Sequence, residues 1–286
     1  MRSAGHATYE SDPFEEKTVS FGTREVSPHV NRTRMMWDGF QEDVIEHFPK
    51  SSRVVVDTKT YLRQIDDIYA ADAYNSLSIE GYRVDVELIN RVREGRWDPE
   101  GTDKENRDAL AARGYWQAFQ AVKLTIIDVL KGKNSGEAVS EDFGKWYREL
   151  FRPSVAAGIM GAAELAGYRR GPVYIRGSMH VPPAHESVRE LMPAFFDLLR
   201  NEKSPEVRVL LGHFVFVYIH PFVDGNGRMA RFLMNVMLAA GGYPWLVIPV
   251  EKRSLYMEAL EDASIRQNIV PFTKFLAELV NHSLSE

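Results

Sequence analysis

Apolar residues recur at spacings of three and four along most of this 286-residue chain, and only one short stretch alternates. That period places apolar side chains on one face of successive helices, so the chain must bury helix against helix. Between Thr60 and Ile79 the positions Leu62, Ile65, Ile68, Tyr69, Ala73 and Leu77 make one such face, and Gly81 is placed to end it. A second helix is predicted over 84–94, with Asp85 near its start and Gly95 past its end. Residues 96–104 are turn-rich around Pro99 and Gly101. A long helix follows over 106–130, closed by Gly132, and another over 140–151 with Ser140 as its N-cap. Further helices are predicted at 187–199, 205–219, 226–240, 253–262 and 271–284. The exception is YRRGPVYIRGSMHVPP at 168–183, which alternates around Val173 and Ile175 between turn formers and reads as a short hairpin or flap. The first ~38 residues, with Pro13 and Pro28, lack sustained periodicity and read as an arm, and helical pattern begins near Gln41. The fold class is mainly α with a short β-hairpin. Three parts are expected: an arm at 1–40, a helical segment at 41–104 and a core at 105–286.

Composition narrows the function classes. With 44% hydrophobic residues, a chain of this length can bury a sizeable core. The net charge of −5 argues against a nucleic-acid partner, which a basic excess would favour. There is no cysteine, so disulfide frameworks, cysteine nucleophiles and thiolate metal sites are excluded. No apolar run approaches the ~18 residues of a membrane span, and no membrane partner is expected. The first residues lack the apolar segment of a secretory signal, so a cytoplasmic protein is expected.

The chemistry is concentrated in His220-Pro-Phe-Val-Asp-Gly-Asn-Gly-Arg-Met-Ala-Arg231. Pro221 biases His220 away from the helical region, so the preceding helix should end there. Asp224, Gly225, Asn226 and Gly227 then turn tightly into the next helix, whose unpaired N–H groups suit a phosphate. Gly225 and Gly227 carry no Cβ to block a ligand's approach. Arg228 and Arg231 lie on one side of the new helix and can reach further phosphates. A neutral His220 can take a proton from an attacking hydroxyl. The Asp224 carboxylate suits Mg²⁺ beside a polyphosphate. There is no G-x-x-x-x-G-K-[ST] motif, so this is not a P-loop. Elsewhere, Ser76 and Glu80 are four apart and share a helix face, and Glu80 lies in the last turn, where the helix dipole does not favour a carboxylate.

HPFVDGNGRMAR matches H-x-F-x-[DE]-G-N-G-R-x-x-R at every fixed position. The chain therefore resembles the Fic-domain family over roughly residues 55–285. The resemblance implies a Fic-type helical bundle that transfers AMP from ATP, with Mg²⁺, to a Ser, Thr or Tyr hydroxyl of a target protein. By the same resemblance His220 is the base, Phe222 fixes the loop and Asp224 binds the metal. Gly225, Asn226 and Gly227 hold the α- and β-phosphates, Arg228 the β-phosphate side and Arg231 the γ-phosphate. Tyr256 stands where relatives place a tyrosine near the adenine, and equally fits a core aromatic. Val173, Tyr174, Ile175, Arg176, Gly177 and Ser178 fall where the family has the flap that holds its target, or form a plain surface hairpin. Ser76-Leu-Ser-Ile-Glu80-Gly81 matches the inhibitory motif [ST]-x-x-x-E-[GN], carried on a helix at about 60–80. This resembles the class in which such a helix inhibits its own chain, with Glu80 pairing with Arg231. Removal of AMP with the help of Glu80, self-modification and a homo-oligomer are also compatible with the resemblance. Relatives that transfer phosphate carry Lys where this chain has Arg228, which favours a nucleotidyl product. The alternative of another class is a nucleotide sensor that binds ATP without transferring it and has no need of His220 as a base.

Overall fold

The computed structural model describes residues 27–51, 57–96 and 106–285. Ten α-helices fill these segments: α1 Pro28–His47, α2 Thr58–Ile79, α3 Val86–Arg93, α4 Arg107–Leu130, α5 Ser135–Ala156, α6 His185–Asn201, α7 Pro205–Ile219, α8 Asn226–Gly241, α9 Arg253–Ile265 and α10 Val270–Ser285. At the centre, α7 and α8 pair as a helical hairpin. Every residue from Met229 to Ala239 is buried, and Val209 to Phe216 are buried likewise. A helix that is apolar all round must be enclosed. The other helices provide the enclosure: α1, α6 and α9 pack on α7, and α2, α4 and α5 pack on α8. Phe143 of α5 links the layers, meeting Phe196 of α6, Phe216 of α7 and Phe222 of the loop after α7.

Local signals explain most helix bounds. The Asp57, Asp85 and Asn106 side chains accept N–H bonds from the first turns of α2, α3 and α4. Ser204 caps α7, with Pro205 at its first position. Two expectations are corrected. The predicted arm runs into α1: Pro28 is a first-turn proline, and Met36, Trp37, Phe40 and Val44 bury the helix on the core. The buried face runs the length of α1, from Val30 through Thr33, Met36, Trp37 and Phe40 to Val44, and the polar Thr33 within it masks the period in the first half. Ser140 is not a cap. Asn134 starts α5 by accepting from the Glu137 N–H, and Gly136 lies under the backbone at the end of α6.

The predicted hairpin is also corrected. Among the described residues there is no strand, and 171–183 is an extended excursion with a single turn closed by Ser178 N–H to the Ile175 carbonyl at 3.1 Å. Its backbone groups do not pair across to one another. Side chains hold it instead: Glu261 of α9 accepts from the Ser178 hydroxyl and from the Met179 N–H. The turn-rich 96–104 lies almost wholly outside the described residues, as does the arm up to residue 26.

Candidate active site

The site forms where α7 hands over to α8. Helix α7 ends at His220, whose backbone is left-handed at φ 50° and ψ 61° and donates its N–H to Phe216. Pro221 denies His220 the right-handed helical region, so the chain leaves the helix there. Phe222 then turns inward, stacking on Tyr147 with centroids 3.7 Å apart. Asn226 locks the loop, because Phe222 N–H donates to its Oδ1 at 3.0 Å and its Nδ2 donates to the Phe222 carbonyl at 2.8 Å. Both ends of that amide are thus occupied by the loop itself. Gly225 has φ 84°, and a Cβ there would stand 2.8 Å from the Phe151 ring. Both the conformation and the close approach require glycine.

His220 is partly buried, and its Nδ1 faces the Val217 carbonyl at 3.4 Å. That contact favours a proton on Nδ1 and leaves Nε2 as the acceptor. Burial pushes its pKa down to about 4, opposed by the Val217 carbonyl, with Arg169 pushing down and Glu80 up. The imidazole is therefore neutral at ordinary pH.

No side chain caps α8 at its first residue, so its opening N–H groups form the positive end of a helix. Around it stand the acids and arginines that the spacing brought into view. Asp224 is half exposed, with Oδ1 on the Gly225 N–H at 2.6 Å and Oδ2 3.3 Å from Arg228. Arg228 is buried between the rings of Tyr82 and Phe151, about 5 Å from each. Arg231 is buried on the next turn. Its Nε donates to Ser76 Oγ at 2.8 Å, and its Nη2 donates to the Ser76 carbonyl at 2.9 Å and to Glu80 Oε1 at 2.6 Å. Burial pushes its pKa down, but Glu80 together with Tyr256 and Tyr115 more than offsets this and holds it above the ordinary range.

Glu80 lies just past the end of α2, before Gly81 at φ 86°. Its carboxylate stands over the start of α8, so close to Gly227 that a Cβ there would collide with Oε1. The dipole that disfavours this acid on its own helix is answered by the favourable end of another. Helix α2 is held in this position by further contacts. Arg253 Nε donates to the Ile79 carbonyl at 2.8 Å, and Trp245 and Tyr115 donate to the buried Asp72 at 3.0 and 2.7 Å.

Tyr256 is enclosed in the core and its hydroxyl meets His213 Nε2 at 2.8 Å. Tyr174 of the excursion is exposed. Several site residues had no signal in the sequence. Tyr82, Phe151, Asp72 and Glu261 belong to no motif, Arg169 only opens the alternating stretch at 168–183, and their roles come from where other helices place their neighbours.

The described fold is all-helical and Fic-type: Fic-1 (aa134–508) from C. elegans superposes with a TM-score of 0.65 at 21% identity, over 89% of this chain and 71% of that one. The Fic/DOC family matches residues 139–238, from within α5 to within α8. Protein adenylyltransferase Fic of Drosophila willistoni is 30% identical over 222 residues, covering 76% of this chain and 41% of that protein. The protein of the same name from Nematostella vectensis is 32% identical over 228 residues, covering 78% of this chain and 49% of that protein. This chain is a Fic/DOC-domain protein related to the protein adenylyltransferases Fic. It spans less than half the length of either relative. Helix α2, with Ser76 and Glu80, precedes the matched family region.

Proposed function

We propose that the chain is a protein adenylyltransferase restrained by its own helix α2. The observation that carries this reading is the convergence at the start of α8. A neutral histidine, an uncapped helix N-terminus and two buried arginines meet there, with a carboxylate of the same chain standing where an anion would bind. In the active state a target hydroxyl gives its proton to His220 Nε2 as its oxygen attacks the α-phosphorus of ATP. A new O–P bond forms, the bond to the bridging oxygen breaks, and pyrophosphate leaves. The N–H groups of the first turn, from Asn226 to Arg228, hold phosphate oxygens. The side chain of Asn226 contributes by fixing the loop's shape. Arg228 and Arg231 stabilise charge on the outer phosphates.

Asp224 is the residue suited to Mg²⁺. It is a half-exposed oxygen donor beside the cradle. Among the described residues no group of three or more acids and histidines makes a metal cage. An ion at Asp224 would draw its other oxygens from phosphates and water, the habit of Mg²⁺, and would neutralise phosphate charge. Residues 173–178 present the target's acceptor to His220. The exposed Tyr174, Met179 and Val181 on this excursion favour a protein surface as its occupant.

Glu80 restrains the reaction by holding Arg231 and by standing over the cradle. A second reading rests on the same acid. Glu80 also acts electrostatically on His220, which puts a second proton acceptor beside the reaction centre. There it would take a proton from water as the water oxygen bonds to phosphorus, while the departing side-chain oxygen takes a proton from solvent and AMP is released.

The test is incubation of the parent, Glu80→Gly and Glu80→Gly, His220→Ala proteins with ATP labelled at the α-phosphate. Label fixed to protein by Glu80→Gly and lost in the double variant supports the transferase. Tight ATP binding by all three with no fixed label supports a nucleotide sensor.

A further inference from the structure

Arg169 is 5% exposed and belongs to neither the loop motif nor the excursion, yet it touches both. Its Nε donates to the His220 carbonyl at 2.8 Å, and its backbone N–H donates to the Pro221 carbonyl at 2.9 Å. Its Nη1 donates to the Gly171 carbonyl at 3.1 Å. Its Nη2 donates to the Pro183 carbonyl and, at 3.5 Å, to that of Ile219. Gly171 and Pro183 are the two ends of the excursion. One planar fork therefore closes the base of the excursion and grips the backbone at His220. A guanidinium has five donors in fixed directions and can serve all these carbonyls together, whereas an ammonium cannot. The cation also stands at the C-terminal end of α7, where the helix dipole favours it.

We propose that Arg169 is a positioning residue that joins the 171–183 excursion to the backbone of His220, so that seating a target and aiming the base are a single event. The proposal rests on the reading of the site as an adenylyl-transfer centre. The joint itself is a physical link that can be measured without transfer. The groups that act on the imidazole are Arg169 and His180 from the excursion side, Glu80 from beyond α2 and the Val217 carbonyl of α7. The two neighbouring bases oppose a proton on His220, and the carboxylate and carbonyl favour it. Removing the Arg169 charge therefore lets His220 take a proton at higher pH.

The experiment uses the full chain without nucleotide, as Arg169→Met and Arg169→Lys. It reads amide hydrogen exchange and the NMR titration of the His220 imidazole. In Arg169→Met, exchange is expected to rise about tenfold at 173–181 and at 222–225 together. Protection in α4 and α10 stays at the parental level. The His220 midpoint moves up. In Arg169→Lys the charge survives and the fork does not, so the midpoint stays near its parental value while exchange still rises in both segments. A folded Arg169→Met with an unmoved midpoint, or with faster exchange in one segment only, overturns the proposal. If Arg169→Met does not fold, Arg169→Lys decides: unchanged exchange, or exchange raised evenly through the whole chain, makes Arg169 a general structural donor. Neither readout needs ATP or a target. Failure of adenylyl transfer in Glu80→Gly with both readouts as expected would sink the function and leave the joint standing.

Discussion

Arg231 Nη2 holds Glu80 Oε1 at 2.6 Å and the Ser76 carbonyl at 2.9 Å at the same time. The two partners are one turn apart at the C-terminal end of α2, so the guanidinium reads that end of the helix as a unit. In the proposed mechanism Arg231 must also face the outer phosphate, and Glu80 stands in that direction. The restraint is a competition for one cation at one helix end.

Removing the carboxylate is expected to release that competition. A charge-assisted hydrogen bond contributes about 1.5–3 kcal/mol. Glu80→Gly is therefore expected to label protein from ATP roughly 10- to 150-fold faster than the parent. Initial rates at equal protein concentration give the ratio. A folded Glu80→Gly no faster than the parent, with Glu80→Gly, Arg231→Ala matching it, would reduce Glu80 to a helix end.

The base is tested by substitution and by pH. In the Glu80→Gly background, His220→Ala is expected to lose ~10²–10⁴-fold in transfer while still binding ATP. The folded pKa of about 4 lies below the ordinary histidine value. The neutral, proton-accepting form thus persists as pH falls, and kcat/KM is expected to decline only as pH drops through about 4. Loss of Glu80, which favours the proton, moves that limb no higher. A limb near the ordinary histidine value of about 6.5 would show that burial does not tune this group.

Asp224 and Arg231 are expected to fail differently. Asp224→Ala removes an oxygen ligand, so raising Mg²⁺ partly restores transfer. Arg231→Ala removes a fixed guanidinium that no added ion replaces. Titrating Mg²⁺ against labelling rate separates them, and identical responses would contradict the division of roles.

Tyr256 is expected to act through the core. Its hydroxyl serves the buried His213 at 2.8 Å, and burial pushes the His213 pKa down to about 3. Tyr256→Phe leaves that nitrogen unpaired at a cost of about 1–3 kcal/mol. Thermal unfolding should show a Tm lower by a few degrees, with ATP affinity nearly unchanged. A variant of parental stability and weakened ATP binding would place Tyr256 against the adenine instead. The same histidine sets a pH trend. Its folded pKa lies below its unfolded value, so the unfolded chain binds more protons, and stability from this group is lost as pH falls from about 6.5 towards 3.

What the sequence determined by itself is local. Capping residues and the three-and-four period located α2, α4, α7, α8 and α10 to within a few residues, because those signals act within one or two turns. The loop from His220 to Arg231 was legible for the same reason: its proline, glycines and charges act on neighbours in the chain. Tertiary structure decided everything that joins distant positions. The buried face of α1, broken in sequence by the polar Thr33, became meaningful only once Trp37 and Phe40 met the core. Alternation at 168–183 suggested paired strands, but alternation records only which side chains face inward. Pairing needs a partner backbone, and here Glu261 and Arg169 supply the hydrogen bonds instead. The stacking of Arg228 between Tyr82 and Phe151, and the grip of Arg169 on His220, depend on helices far apart in sequence arriving at one place. Such contacts leave no periodic trace, because nothing in the chain near Arg169 or Tyr82 encodes what will stand opposite.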